Sequence, residues 1–177
     1  MGQVRLHHPV LLMLAAFSRH EPALDWAWQQ AAQQWGPIAL ASERFAFEDT
    51  DFYQQTMGVG LQKQLVAFER LVDPAVLVEY KHQTNQWEAA YRATTDWPEP
   101  RPLNLDPGYV TEAKLVLATT KDRDHRVYLD RGIYAEVTLF YQRGRGWQAR
   151  AWTYPDYRRP EYHQFLTRCR TYLRQRQ

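Results

Sequence analysis

From Pro9 to Phe17 the chain runs nine residues without a polar side chain. A bilayer span needs about 20 such residues, so this run is too short to cross a membrane. It also lacks the polar–apolar alternation of a strand with one wet face. A continuous apolar run of this length suits a strand covered on both sides. It predicts a β-strand over Pro9–Ser18, for which the rest of the chain must supply the cover. Two histidines and an arginine precede the run, without the charged leader and cleavage site of a secretory signal. Cys169 is the single cysteine, so no intrachain disulfide can form. A soluble protein of the cytosol is expected.

At 177 residues the chain is one domain in size. Residues 1–8 read as a flexible N-terminus and 9–177 as one domain. Ser18 and Glu21 have capping-box spacing and Pro22 suits a first helical turn. Leu24, Trp28, Ala31 and Trp35 then fall on one helical face, ended by Gly36-Pro37. Strands are predicted over Ile38–Phe47 and Gln62–Leu71. Asp73-Pro74 opens a second helix, with Leu77, Tyr80, Thr84, Trp87 and Tyr91 facing inward. Four prolines make residues 93–107 a loop, and Lys114–Thr120 reads as the next strand. Hairpin strands follow at Arg126–Leu129, Ile133–Tyr141 and Trp147–Tyr154, the first turning on Asp130-Arg131-Gly132. A last helix opens at Pro160 with the stripe Tyr162, Phe165, Leu166, Cys169, Tyr172 and Leu173. The expected class is α+β: a ferredoxin-like βαββαβ unit, extended by an antiparallel meander and closed by a C-terminal helix. The sheet face away from the helices is then wet, or covered by the meander.

Several chemistries lack their signatures. No GxxxxGK[ST] loop is present, and Gly58 and Gly60 make only a GxG. No cysteine pair or His-x-x-x-His is available for zinc. The only serines, Ser18 and Ser42, stand in no GxSxG elbow. Glu48-Asp49-Thr50-Asp51 offers oxygen ligands for a hard cation, but a cap on a short helix Phe52–Met57 explains the same residues. No metal site and no cofactor is assigned. Net charge is +2, with −5 on residues 1–100 and +7 on residues 101–177. The two halves can attract each other in the fold, or the second can present a positive face to an anion.

Candidate site residues concentrate in that second half. Asn104-Leu105-Asp106-Pro107-Gly108-Tyr109 carries type II turn chemistry, flanked by Asn104 and Tyr109. The segment 119–126 packs two threonines, Lys121, Arg123, His125 and Arg126 with two aspartates into eight residues. Lys121 and Arg126 suit a phosphate or carboxylate, and His125 suits proton transfer near neutral pH. A solvated loop of alternating charge is the plain alternative. In the strand Ile133–Tyr141, Ile133, Ala135, Val137 and Leu139 take one face, and Glu136 sits mid-strand on the other. If buried, Glu136 needs a cation from Lys114, Arg126 or Lys81, or it is a base.

The strings FEDTDFYQQTMG, FERLVDP, NLDPGY, KLVLATTKDRDHRVYLDRGIYAEVTLFY and WTYPDYR together resemble an uncharacterised bacterial family, a domain of unknown function. Its members often carry the label "GTP-binding protein". The resemblance runs from about Pro9 to Tyr172. It implies that polar positions such as Lys81, Asn85, Asn104, Asp106, Lys121, His125, Arg126, Glu136 and Asp156 belong to a site. The GTP label finds no support in the residues: there is no P-loop, and the aspartate after Thr120-Lys121 comes one place too early for a guanine-reading motif.

Two functions from different classes follow as expectations. The first is a pocket for a small anionic ligand, phosphorylated compounds included. Lys81, Asn104, Asp106, Tyr109, Lys114, Lys121 and Arg126 would bind it, and His125 and Glu136 would move a proton if a reaction occurs. The second is an interaction module for protein or RNA, using an aromatic sheet face or the arginines of the C-terminal helix. Nucleic acid is the weaker expectation, since no RNP-type motif is present, and no membrane partner is expected.

Overall fold

The computed structural model describes Gly2, Gln3 and residues 6–177. Met1, Val4 and Arg5, part of the segment expected to be flexible, lie outside the described residues. The elements in chain order are β1 (Val10–Ser18), α1 (Glu21–Trp35), β2 (Ile38–Ala41), β3 (Phe45–Ala46), α2 (Gln54–Met57), β4 (Gln62–Val72), α3 (Leu77–Ala93), β5 (Asn104–Val110), β6 (Lys114–Thr119), β7 (Val127–Asp130), β8 (Ile133–Gln142), β9 (Gly146–Ala149) and α4 (Pro160–Arg174). The class is α+β. One antiparallel sheet runs in the order β2-β4-β1-β5-β6-β8-β7, with β3 also on β4 and β9 also on β8.

The apolar run does what its composition demands. β1 lies between β4 and β5, and all nine of its residues are buried. Leu11, Met13 and Ala15 point to one side, where Tyr162, Phe165, Leu166, Cys169 and Leu173 of α4 cover them. Leu12, Leu14 and Ala16 point to the other, under Leu24, Ala27, Ala31 and Trp35 of α1 and Trp87 and Tyr91 of α3. Both faces of the central sheet are therefore covered, the one away from α1 and α3 by α4 and not by the meander. Each large apolar side chain so buried contributes about 1.5–3 kcal/mol. Cys169 is a core residue, and burial pushes its thiol up to about 12. No helix among the described residues is long and apolar enough to cross a membrane.

Several local expectations are corrected. Ser18 does not cap α1. His20 stands at the N-cap, and the Ser18 hydroxyl accepts from His20 N–H at 2.9 Å and donates to the Pro102 carbonyl at 2.6 Å. Asp73 does cap, accepting from Ala75 N–H ahead of Pro74 and a 3₁₀ turn into α3. Ile38–Phe47 is not one strand: it breaks at Ser42, whose hydroxyl accepts from Leu65 N–H and interrupts the ladder. The β7–β8 connection is a two-residue turn, with Arg131 and Gly132 both at positive φ. Thr138 is an extra residue in β8 against β6, so Leu139 joins the α4 side while Ile133, Ala135 and Val137 pack near α3. β9 ends at Ala149, five residues short of the expected strand.

The largest correction lies at Asn104–Val110. It is a strand, not a turn, and it takes the place beside β1 that Lys114–Thr120 was expected to fill. Its pairing with β6 covers only Gly108–Val110. Pro107, which has no N–H for a ladder, stands one residue before that pairing begins. Gly108 is not at positive φ. A Cβ there would lie 2.4 Å from the Val116 carbonyl oxygen and 2.7 Å from Leu117 Cδ2. Glycine is needed for close strand approach, not for a turn.

Candidate functional site

Because β5 and β6 pair only over those residues, the sheet opens beyond Gly108. Asn104–Pro107 keeps β1 on one side. On the other side lies a cavity of about 440 Å³, whose far wall includes Leu117–Thr119 of β6. The register gathers polar groups at this end. Phe17 of β1 is opposite Lys63 of β4 and Asn104 of β5, and Leu117 is opposite Glu136 of β8. From α3, Lys81 and Asn85 reach the same space one turn apart. The segment after β3 adds Asp49, Phe52 and Tyr53, the β6–β7 loop adds Lys121, Arg123 and Arg126, and the turn after β9 adds Tyr154 and Asp156.

Three networks line the cavity. In the first, Lys63 Nζ donates to Asp156 Oδ2 at 2.5 Å, with both side chains buried. The ammonium lies 4.4 Å from the Tyr157 ring centre, 4.9 Å from Phe47, 5.5 Å from Phe17 and 5.8 Å from Tyr162. In the second, Lys81 donates to the Leu105 carbonyl at 2.9 Å and to Asp106 at 3.3 Å. The Asn104 amide donates to Asp106 at 2.7 Å, and its oxygen accepts from Arg101, which also pairs with Glu88. In the third, Glu136 Oε2 is 3.0 Å from Arg126 Nε and 3.2 Å from His125 Nε2, while Oε1 accepts from Thr138. The His125 ring stacks on Trp152. Arg126 also donates to the Lys121 carbonyl at 2.9 Å and to Tyr154 Oη at 2.7 Å.

Electrostatics separates two carboxylates in the second network. Burial opposes the charged form of Asp106, yet Lys81, Lys63, Arg101 and the Asn104 amide outweigh it and hold its carboxyl below the ordinary range. For Glu88 burial dominates over Arg101 and Lys81, and its carboxyl is raised. Burial first, then Asp106, pushes the Tyr53 phenol up, so Tyr53 stays a neutral O–H donor at neutral pH. Asp106 contributes stability above its unfolded value of about 3.9, lost as pH falls through the lowered native value. Glu88 slopes the other way. Urea unfolding from pH 6 to pH 3 (values near the ordinary carboxylate range, about 4) is expected to show the wild type losing stability more steeply than Asp106→Asn. Parallel profiles would mean that Asp106 is not held by these cations.

Of the residues nominated from sequence, Lys81, Asn104, Asp106, Lys121, Arg126 and Glu136 line one cavity. His125 stands behind Glu136. Glu136 finds its cation in Arg126, not in Lys114 or Lys81. Tyr109 packs with Leu77 and Val78 of α3, away from the cavity. Lys114 sits at the opposite end of β6 from Thr119, about 17 Å along the strand. Two carboxylates of the acidic run 48–51 are held by partners in the fold: Asp49 pairs with Arg159, far off in the chain, and Asp51 accepts from Gln54. Among the described residues no group of three or more His, Cys, Asp or Glu is placed to hold a metal ion.

Sequence reasoning missed Lys63, Arg101 and Glu88, and reached Asp156 only through the family resemblance. A signal for Lys63 existed: it shares the inward alternation of Leu65 and Ala67 on β4, where lysine is out of place without a partner. No curated protein and no solved structure matches the chain. The profile of the family described as Domain of unknown function (DUF4416) matches residues 8–172, nearly the whole length, and the chain belongs to that family.

Proposed function

We propose that this protein binds a small anionic, phosphorylated ligand in the cavity between β5 and β6. The observation that carries this reading is the charge left over on the lining. Lys63, Lys81, Arg101 and Arg126 each face a carboxylate. Lys121 and Arg123 line the same cavity with no carboxylate within 4.0 Å among the described residues. Lys121 instead holds its ammonium 4.6 Å from the Phe52 ring centre. Thr119 and Thr120 add hydroxyls beside them. Two unpaired cations with neighbouring hydroxyls suit a phosphate.

The third network then has a positioning task. Glu136 and His125 orient Arg126, and Arg126 holds the Lys121 carbonyl, so the anion-binding loop is fixed from behind. Glu136 accepts from three side chains, an arrangement that supports Arg126 better than it frees a base. The interaction-module reading has less to stand on. Helices cover both faces of the central sheet. Arg158, Arg159, Arg168, Arg170, Arg174 and Arg176 are engaged with carbonyls, carboxylates or rings of the chain itself.

The test is titration calorimetry with inorganic phosphate, sugar phosphates and nucleotides. At least one phosphorylated compound is expected to bind the wild type, and about tenfold or more weakly to Lys121→Ala, the loss expected for one charge-assisted hydrogen bond. A folded wild type that binds none of them overturns the reading.

A further inference from the structure

The cavity is larger than an anion needs. At about 440 Å³ it falls in the size range of small-molecule sites, and a bare phosphate would fill only a fraction of it. The wall away from Lys121 and Arg123 therefore faces the remainder of the ligand. Its hydrogen-bonding capacity is incompletely used. An ionised carboxylate has about four acceptor positions, and among the described residues Asp106 receives only Lys81 and Asn104. Of the three N–H donors of Lys81, two are committed, to Leu105 and Asp106. The Asn85 amide lines the cavity and makes no side-chain hydrogen bond among the described residues.

An acceptor, a donor and an amide that is both, placed on one wall, match groups that donate and accept at once. Hydroxyls do this. A second anionic group would meet the Asp106 carboxylate, which its surroundings keep ionised. A planar base would need an open aromatic face, but Phe17, Phe47 and Tyr53 pack against one another, Tyr157 packs on Tyr162 and Phe52 faces the Lys121 ammonium, so among the described residues Tyr154 alone on this lining keeps a ring without a ring partner. Phe17 meets Phe47 at 54° and Tyr53 at 67°, with centres 4.8 and 4.9 Å apart.

Resting on the reading above, we infer that the ligand is a phosphorylated sugar or polyol, with its hydroxyls on Asp106, Asn85 and Lys81 and its phosphate at Lys121 and Arg123. The test compares inorganic phosphate, ribose 5-phosphate, glucose 6-phosphate and adenosine 5′-monophosphate on wild type, Asn85→Ala, Asp106→Asn and Lys121→Ala. One of the two sugar phosphates is expected to bind about tenfold or more tightly than inorganic phosphate, and more tightly than the nucleotide. Asn85→Ala is expected to remove most of that advantage while leaving inorganic phosphate within about twofold. It removes a side chain that makes no hydrogen bond among the described residues, so it stays informative if Asp106→Asn unfolds. Equal affinity for phosphate and both sugar phosphates, or tighter binding of the nucleotide, overturns this inference and leaves the anion site standing. A folded wild type that binds none of these compounds, or binding that Lys121→Ala leaves unchanged, overturns the anion site itself.

Discussion

Gly108→Ala is expected to destabilise the fold by about 3 kcal/mol or more, at the upper end of what overpacking costs. The added methyl would sit 2.4 Å from a backbone oxygen, Val116 O, and 2.7 Å from Leu117 Cδ2. A flexible side chain could swing aside, but a strand carbonyl cannot move without its ladder. Relief requires β5 and β6 to separate where their short pairing begins, at Gly108 opposite Leu117. That junction is also where the sheet opens into the cavity, so ligand binding is expected to fall with stability. Gly144→Ala is the control. Gly144 has φ +83° with nothing within 4 Å of an added Cβ, so its cost is the left-handed backbone alone, about 1–2 kcal/mol. Urea unfolding of the three proteins, at a common m-value, makes the comparison. A Gly108→Ala variant no less stable than Gly144→Ala would mean the strands are not in contact there.

The same residue shows why part of the fold could be read locally and part could not. β1 was legible because nine apolar residues allow one environment. The stripe of α4 was legible because its period fixes which side chains meet the sheet, and Tyr162, Phe165, Leu166, Cys169 and Leu173 are buried as that period requires. Asn104–Val110 was not legible. Asp-Pro-Gly is good turn chemistry, and what makes it a strand is contact with β1 and β6, a property of distant partners. The site divides the same way. Lys121, Arg126 and Glu136 stood out as polar groups crowded along one hairpin. Lys63 and Asp156 are 93 positions apart, and nothing local to either names the other. Arg101 lay in a proline-rich loop that reads as a connector, until Glu88 on α3 is seen to face it.

That distant pair gives the other large expected effect. Lys63→Met leaves the Asp156 carboxylate buried without its cation, and breaking such a pair from one side costs about 3–5 kcal/mol. The methionine itself is no burden, since a thioether packs well among Phe17, Phe47, Tyr157 and Tyr162. The loss therefore measures the stranded charge. Lys63→Met with Asp156→Asn removes both charges, and is expected to recover most of the stability, leaving a coupling of at least about 2 kcal/mol in the double-mutant cycle. Simple additivity, or a Lys63→Met variant as stable as wild type, would mean water already reaches Asp156. The doubly substituted protein also separates fold from function. A buried ion pair is poor value as a source of stability, since apolar replacements often match it. If the pair shapes the charge of the cavity floor, the double variant will fold nearly as well as wild type and bind phosphorylated compounds about tenfold more weakly. Binding unchanged in that variant would confine Lys63 and Asp156 to the core.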